Sequence, residues 1–447
     1  MSSTSPPPAT GAPSSVRRVI VASLIGTSLE WYDFFIYGIA AALVFNKLFF
    51  PSFDPLVGTL LAFTTFAVGF VARPIGGVIF GHYGDKIGRK NVLVVTLLLM
   101  GIATFAIGLL PTYGQIGVWA PILLVALRFL QGLGLGGEWG GAVLMTLESG
   151  ESDRRGLNAS WPQVGAPIGL LLANGTLSLM GAVTSDATFL SWGWRVPFLL
   201  SGLLVVVGLW IRLTIEESPL FREIEASDAK VRAPIIDVLR RYPRQVLLAI
   251  GARIGVDVAF YTFVLFITTY LVTYLRLPSS YALNAVLIAA TGQMLLIPWF
   301  GRLSDRFGRR PVYLFGAVGG AIWVFVFFAL LDTRNFALVV LAAVIALLFH
   351  AAMYGPQASF IAEMFPTKIR YSGASMGYQL AGIFGGALAP IISVALLNRY
   401  HTSLAVSLYV LAVLALTTFC VVVSAETSGT ELQADTVSER PGAREPR

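Results

Sequence analysis

The sequence predicts an all-α membrane protein whose twelve transmembrane helices form two pseudo-symmetric six-helix halves. Of its 447 residues, 56% are hydrophobic and only 12% are charged, which leaves too little polar surface to cover a globular exterior. Apolar runs recur along almost the whole chain, and each can supply the about 20 residues of helix that cross a bilayer core of ~30 Å. A charged loop motif also occurs twice. The expected surroundings are therefore a lipid bilayer.

The predicted helices follow from where the apolar runs are interrupted by charged, Gly-rich or Pro-rich stretches. The runs are continuous, whereas a membrane β-barrel needs short segments of alternating polarity, so helices are favoured. The predicted spans lie near residues 18–45, 55–80, 91–111, 119–147, 156–182, 193–213, 245–275, 281–301, 311–331, 335–362, 369–397 and 402–424.

The polar stretches between these runs define the domain organisation. The chain begins with an uncharged segment rich in Pro, Ser and Thr, a composition that cannot bury enough apolar surface to become ordered. The predicted units are a disordered tail at 1–16, a six-helix bundle at 17–213, a cytoplasmic linker at 214–244, a second bundle at 245–424 and a C-terminal tail at 425–447.

The positive charges indicate the orientation of the chain. The net charge is +7, yet Lys and Arg form short clusters between the spans and no continuous basic face, so we expect no nucleic-acid partner. When the loops are assigned alternately to two sides, most Lys and Arg fall on the side that holds both termini. We therefore predict a multi-pass protein of the inner (cytoplasmic) membrane with both termini in the cytoplasm.

A ten-residue motif, G-x-x-x-D-x-x-G-R-[K/R], follows both the second and the eighth predicted helix, about 220 positions apart. A second match, at a similar offset, relates Glu148 to Glu363 and Arg155 to Arg370. Because each half has six helices, an even number, the halves are parallel repeats related by an axis along the membrane normal. The binding site of such a protein is expected between the halves.

Six further segments carry a family resemblance. They are residues 30–38 (EWYDFFIYG), 73–77 (RPIGG), 128–141 (RFLQGLGLGGEWGG), 192–198 (WGWRVPF), 217–219 (ESP) and 365–375 (FPTKIRYSGAS). Together with the repeated motif they resemble the major facilitator superfamily and, within it, the metabolite:proton symporters. Members of that branch carry shikimate, α-ketoglutarate, citrate, proline or betaine. The resemblance implies a transporter that works by alternating access.

The two loop motifs form the candidate cytoplasmic gate. Asp85 and Asp305 lie where a carboxylate can accept hydrogen bonds from the N-terminus of a neighbouring helix and pair with arginine. The resemblance implies that this network stabilises the outward-facing state. The candidate gate residues are Gly81, Asp85, Gly88, Arg89, Lys90, Glu148, Arg155, Gly301, Asp305, Gly308, Arg309, Arg310, Glu363 and Arg370.

Ionisable side chains inside a span cost roughly 2.5 kcal/mol or more, so each needs a partner or a function. Glu30, Asp33 and Tyr37 are spaced i, i+3, i+7 on one face of the first helix. The resemblance implies that Asp33 pairs with Arg128 of the fourth helix until proton and substrate bind. We predict Asp33 as the principal proton carrier, Glu30 as the second and Arg128 as their partner. The alternative is a permanent structural ion pair.

The first helix of the second half carries a comparable polar stripe, Arg253, Asp257 and Tyr261. The planar guanidinium of an arginine can hold a substrate carboxylate through two parallel hydrogen bonds. Alternatively, Arg253 and Asp257 neutralise each other within their helix. Further candidates for substrate binding, which could instead serve only as contacts between helices, are Tyr37, Glu138, Trp161, Gln163, Tyr378 and Gln379.

Several other functions are disfavoured. One cysteine and three scattered histidines provide no metal-ligand spacing, and no nucleophile, base and orienting group can be assembled, so we expect no catalytic residue, no metal and no enzyme activity. Residues 132–137 match the dinucleotide pattern G-x-G-x-x-G but lie inside an apolar helix, where the glycines would let the fourth and fifth helices pack closely. We expect no cofactor, and an ion gradient as the energy source.

These observations predict a monomeric secondary active transporter that moves a small organic-acid metabolite together with protons across the cytoplasmic membrane. The alternatives are a proton-coupled carrier of a zwitterion such as proline or betaine, and an uncoupled facilitator. Osmolyte carriers of the branch tend to end in a long coiled coil. The tail at 425–447 has no sustained apolar heptads, which disfavours the zwitterion.

Overall fold

The structure is a computed structural model that describes residues 13–87, 89–136, 152–214, 234–366 and 370–429. Within these ranges, the side chains of residues 13–20, 22, 81–93, 152, 211–214, 234–237 and 371 are outside the description. Predictions that fall on Gly88, Glu138 and Glu148, and on the side chains of Asp85, Arg89 and Lys90, therefore lie outside the described residues.

Six long helices make up the N-terminal half. They are α1 Pro13–Ala40, α2 Pro55–Ile87, α3 Arg89–Leu109, α4 Trp119–Gly136, α5 Arg155–Val183 and α6 Arg195–Thr214. A π-helical turn, Ala41–Phe45, continues α1 into Asn46–Leu48. The connections contain the short helices Tyr113–Ile116, Ser152–Arg154, Asp186–Thr188 and Phe189–Gly193.

Six more helices form the C-terminal half. They are α7 Pro243–Tyr261, α8 Ser279–Phe307, α9 Arg309–Asp332, α10 Phe336–Glu363, α11 Arg370–Gly382 and α12 Ser403–Val423. Two of them run on beyond these bounds: α7 through Thr262–Phe266, Ile267–Thr269 and Tyr270–Tyr274, and α11 through Ile383–Ala387 and Leu388–Tyr400. The short helix Pro234–Arg241 precedes α7.

These helices have the lengths and compositions of membrane spans. In the described ranges, ten are long and apolar enough to cross a bilayer, and the pair Asp186–Gly193 and Arg195–Trp210, bent by 41°, supplies an eleventh. The remaining helix, α3, has a shorter apolar part, Val94–Leu109. No strand occurs in the described part of the chain. The prediction of an all-α membrane protein with twelve helices in two halves is confirmed.

The structure adds detail to two of the predicted units. Residues 13–16, which were predicted as part of a disordered tail, are helical in α1. The predicted linker contains the helix Pro234–Arg241, while residues 215–233 lie outside the described residues.

Helices α1 and α7 form the centre of the bundle. The apolar stretches of α1 and α7 are 94% and 89% buried inside the protein, whereas those of the other spans are 33% to 56% buried. The outer helices expose large apolar side chains instead, among them Ile102, Leu203, Ile322 and Phe419. An exposed apolar surface of this extent fits contact with lipid. The side chains of α1 and α7 are therefore the ones best placed to meet a molecule passing through the protein.

Helices α5, α8 and α10 join the two halves on one flank, and α2 and α11 join them on the other. Both central helices contain a π-helical segment, Ala41–Phe45 in α1 and Thr262–Phe266 in α7, separated by about 220 residues as the loop motifs are. Such segments interrupt the regular hydrogen bonding of a helix and are frequent at functional sites. The internal repeat thus extends to the local geometry of the central helices.

Backbone-to-backbone contact joins α2 and α4. A Cβ atom added at Gly132 would lie 2.2 Å from the carbonyl oxygen of Gly69, and one added at Gly136 would lie 2.0 Å from that of Arg73. The described glycines of the G-x-G-x-x-G stretch therefore allow close packing, as expected, but Gly132 and Gly136 pack against α2 and Gly134 packs against α3, and none of the three packs against α5. The prediction named the wrong partner because sequence neighbours need not be neighbours in a helical bundle.

Replacing Gly132 by alanine should destabilise the bundle. The added methyl group would force α2 and α4 apart, and overpacking of this kind costs about 1–3 kcal/mol. Gly175→Ala is the matched control, because nothing lies within 4 Å of a Cβ added to that helical glycine. Thermal unfolding in detergent should show a lower Tm for Gly132→Ala and an unchanged or higher Tm for Gly175→Ala. Equal Tm values for the two variants would contradict this packing.

Candidate functional site

Asp33 lies in the middle of α1 and is 3% exposed. The Ser201 hydroxyl of α6 donates a hydrogen bond of 2.6 Å to its Oδ1 atom. Glu30, also buried, lies one helical turn earlier on α1. No cation pairs with the Asp33 carboxylate within the part of the chain that the structure describes. Asp33 is thus a buried acid whose carboxylate accepts a hydrogen bond from a neutral hydroxyl group.

The expected ion pair between Asp33 and Arg128 is not formed in this structure. The Arg128 guanidinium donates to the side-chain oxygen of Gln131, one turn further along α4. The Gln131 amide in turn donates to the backbone oxygen of Asp33 at 3.1 Å and to Thr104 at 2.8 Å. Gln131 therefore stands between the two predicted partners and links them indirectly.

Aromatic rings also surround the Arg128 guanidinium. Its Cζ atom lies 4.4 Å from the centre of the Tyr37 ring and 4.6 Å from those of Phe34 and Phe66. The Tyr37 hydroxyl donates to Thr65 at 2.7 Å. Cation–π contacts stabilise a cation more strongly when it is desolvated, and Arg128 is fully buried. This aromatic enclosure explains why Arg128 does not require a carboxylate partner here.

The second charged group is on α7. The guanidinium of Arg253 forms an ion pair of 3.0 Å with Asp257 and donates to Gln357 of α10 at 2.8 Å. The side-chain amide of Gln357 donates to the Tyr313 hydroxyl of α9 at 3.1 Å, and this hydroxyl donates to the carbonyl of Ala252. The ring of Tyr378 on α11 lies 3.2 Å from Cζ of Arg253. Arg253 is therefore oriented by direct contacts from α10 and α11, and α9 acts on it only through Gln357.

A narrow cavity, the central cavity, lies between the halves beside this pair. The side chains from α1 and α5 come from one half, and those from α7, α8 and α10 come from the other. Its lining residues are Trp31, Ala166, Pro167, Arg253, Asp257, Phe260, Tyr261, Gln293, His350 and Tyr354.

Some predicted substrate residues lie at this cavity and others do not. Arg253, Asp257 and Tyr261 line it. Gln163 donates to the backbone oxygen of the lining residue Tyr354 at 3.4 Å. Trp161 is partly buried and is not among the lining residues, and Gln379 donates to the carbonyl of Gly136 at the junction of α4 and α11. Gln379 was predicted because its place in the eleventh helix matches that of Gln163 in the fifth, but its side chain contacts α4 instead.

Sequence reasoning missed three polar lining residues, Gln293 on α8, His350 on α10 and Tyr354 on α10. It also assigned no role to Arg73, which is 5% exposed and lies 4.4 Å from the ring centres of both Phe34 and Phe70. The sequence did indicate Gln293 and His350 as candidates, because both are isolated polar residues within long apolar runs. What the sequence could not indicate is that they face each other.

One face of the bundle, the motif face, carries the two loop motifs. There the Asp305 carboxylate of α8 accepts hydrogen bonds from the backbone N–H groups of Gly156 and Leu157, at 2.7 and 2.9 Å, at the N-terminus of α5. These contacts join the two halves. Gly301 makes a close approach to Ser160, since a Cβ added at Gly301 would lie 2.7 Å from that of Ser160.

Arg309 connects the acidic groups of the motif face. It pairs with Asp305 at 2.6 Å and with Glu363 at 3.2 Å. Gly308 has a φ of +97°, which a side chain rarely adopts, and Glu426 accepts hydrogen bonds from the backbone N–H groups of Arg309 and Arg310. Of the other predicted gate residues, Arg155 and Arg370 are buried, and Gly81 is described only as helical backbone.

The halves also meet at the opposite face. The side-chain amide of Asn174 on α5 donates to the carbonyl of Leu283 on α8 at 2.8 Å. Contacts across both faces enclose the central cavity.

Comparisons with known proteins agree with this architecture. Residues 18–235 match the family described as "Sugar (and other) transporter", and residues 278–444 match the Major Facilitator Superfamily. The shikimate transporter of Escherichia coli K12 is 44% identical over 414 residues, which are 92% of this chain and 94% of that protein. The proline/betaine transporter of the same strain is 33% identical over 407 residues, or 89% and 81% of the two chains.

A solved structure shows the same fold. The xylose transporter XylE from E. coli, in a partially occluded inward-open conformation, superimposes with a TM-score of 0.70 at 19% identity and covers 94% of this chain and 100% of its own. The match to the shikimate transporter covers 92% of this chain and therefore extends across both halves. The chain is a multi-pass membrane protein of the major facilitator superfamily, a family of transporters and not of enzymes.

Proposed function

We propose that this transporter is a proton symporter for a small organic acid in the cytoplasmic membrane, working by alternating access. The observation that carries the proposal is the arrangement of two buried groups on the central helices. Asp33 on α1 accepts a hydrogen bond from neutral Ser201, and Arg253 on α7 faces the central cavity. The first provides a site for a proton, and the second provides a site for an anion.

The surroundings of Asp33 suit a group that gains and loses a proton. An ionised carboxylate in an apolar interior is costly unless a cation pairs with it, and binding a proton removes that cost. Gln131 joins Arg128 to the backbone of Asp33, so a modest movement of α4 against α1 could bring the guanidinium and carboxylate together. Proton release would then accompany the formation of that ion pair.

The surroundings of Arg253 suit an exchangeable anion. Its partner Asp257 uses one carboxylate oxygen for the ion pair, and the other oxygen has no hydrogen-bond partner among the described residues. The Nε atom of Arg253 likewise has none. A substrate carboxylate entering the central cavity would compete with Asp257 for the guanidinium, whose fork-like geometry matches a carboxylate.

The contacts at the two faces supply the two gates. We assign the motif face to the cytoplasm, because it is the side on which the positive-inside rule puts most of the Lys and Arg. Breaking the Asp305 contacts with α5 would open the cytoplasmic side, and breaking the contact between Asn174 and Leu283 would open the other. The relative that transports shikimate, a hydroxylated acid, supports a similar cargo here.

A proton-coupled carrier of a zwitterion is the second candidate. The cavity has an aromatic lining that includes Trp31, Phe260, Tyr261 and Tyr354, and aromatic faces bind quaternary ammonium groups. The similarity to the proline/betaine transporter also supports a zwitterionic substrate. Arg253 serves both candidates, since a zwitterion also has a carboxylate.

Uptake into proteoliposomes under an inward proton gradient distinguishes these candidates. We expect accumulation of one labelled acid from a panel of shikimate, α-ketoglutarate, citrate, proline and betaine. A response confined to proline and betaine would support the zwitterion carrier, and equilibration of any member without accumulation would support an uncoupled facilitator.

Asp33→Asn should separate substrate exchange from proton coupling. The amide keeps the size of the carboxyl group but cannot exchange a proton, so accumulation driven by the gradient should be lost while counterflow of the same acid continues. Asp186→Asn, at an exposed residue on the periphery, is the control and should behave like the wild type. Normal accumulation by Asp33→Asn would remove Asp33 from the coupling mechanism.

Asp305→Asn should open the motif face. In this variant a neutral amide replaces the carboxylate that accepts hydrogen bonds from α5 and pairs with Arg309. Hydrogen bonds to a charged group contribute about 1.5–3 kcal/mol each, so the contacts become weaker. In a Cys420→Ser background, a Ser160→Cys probe at the junction with Gly301 should react with maleimide at least about tenfold faster. Asp54→Asn, a helix-capping change on the opposite side, is the control. An unchanged labelling rate would exclude Asp305 from the gate.

A further inference from the structure

Gln293 on α8 and His350 on α10 form a buried polar pair that the transport mechanism above does not use. They are 1% and 2% exposed, and the Nε2 atom of Gln293 lies 2.7 Å from Nδ1 of His350. Both residues line the central cavity, across from Trp31 of the other half. The pair is therefore at the same cavity as Arg253 but on different helices.

The pair has hydrogen-bonding capacity left over. With the Gln293 amide donating to Nδ1, His350 carries its hydrogen on Nε2, and that atom has no partner among the described residues. The Oε1 atom of Gln293 is buried and also lacks a partner there. Leaving a buried polar atom without a hydrogen bond costs about 1–3 kcal/mol, so these atoms indicate a polar ligand.

The remaining walls are flat and apolar. The His350 ring lies 4.9 Å from that of Phe260 and 5.1 Å from that of Tyr354, and Ala166 and Pro167 close the cavity on the side of α5. A ligand that matches this lining has an apolar frame with hydroxyl groups on one edge, because a hydroxyl both donates and accepts a hydrogen bond.

We propose that the Gln293–His350 pair recognises hydroxyl groups of the substrate, which makes the substrate a hydroxylated carboxylic acid. One hydroxyl group donates to Oε1 of Gln293 and accepts from Nε2–H of His350, while the carboxylate binds Arg253. This inference rests on the proposed transport of an acid and adds the residues that select among acids. A site built to hydrogen-bond a hydroxyl group discriminates against an analogue that lacks it.

Binding of matched acids to the full chain in lipid nanodiscs tests the proposal. The probes are benzoate with 3,4-dihydroxybenzoate and cyclohexanecarboxylate with its 3,4-dihydroxy derivative, measured by calorimetry. The wild type should bind the hydroxylated member of at least one pair about tenfold or more tightly. Gln293→Met, which keeps the length of the side chain, should reduce that preference to about twofold or less without weakening the parent acid.

Two further variants keep the test decisive. Thr269→Val removes another buried, unpartnered hydroxyl from α7, outside the cavity lining, and should retain the full preference. The double variant Gln293→Met/His350→Phe removes both polar side chains, so no buried polar atom of these two residues lacks a partner and the variant should fold. It should bind the hydroxylated acid and its parent acid equally.

The outcomes separate this proposal from the proposed function. A wild type that binds both members of every pair equally, or a Gln293→Met variant that keeps the preference, would overturn hydroxyl recognition and leave acid transport standing. A wild type that binds none of the four acids would count against acid transport and against this inference with it.

Discussion

The cost of holding charge inside a bilayer governs the arrangement of this protein. Among the described residues, each buried arginine near the centre has neighbours that stabilise its charge. Arg253 pairs with Asp257, whereas Arg128 is enclosed by aromatic rings and Gln131, and Arg73 lies between Phe34 and Phe70. The stabilising groups lie on neighbouring turns or on other helices of the same half, so the charges also help to hold the helices of each half in register. A change of partner for any of them would move helices.

The proposed proton site, Asp33, and the central cavity are on opposite sides of α1. Asp33 contacts α6, while Trp31 from the same helix lines the cavity. Between them lies an aromatic cluster in which Phe34, Phe66 and Phe70 of the N-terminal half contact Tyr261 of the C-terminal half. We infer that coupling between proton and substrate passes through movement of α1 and this cluster, since no direct contact joins Asp33 to the cavity in the described residues. The π-helical turn of α1 is a natural point for such movement.

The sequence predicted the features that depend on composition and periodicity. The spans, the two halves and the polar stripe of Arg253 and Asp257 follow from hydrophobic runs, a repeated motif and helical spacing. The direct pairing of Asp33 with Arg128 is not formed in this structure because Gln131 intervenes, and the rings around Arg128 come from α1 and α2. The pairing of Gln293 with His350 could not be predicted, because it depends on how α8 and α10 pack. Glu138 and Glu148 stay predictions, since they lie outside the described residues.

The central claim is that a buried carboxyl group and a buried guanidinium couple the entry of protons to the entry of an acid. The most direct test is to add the acid that the uptake panel identifies to proteoliposomes without an imposed gradient and to follow luminal pH with a trapped dye alongside labelled uptake. The account predicts that the lumen acidifies in proportion to acid entry, beyond the change in protein-free vesicles, and that a protonophore dissipates the pH change. Uptake of the acid at constant luminal pH would contradict it.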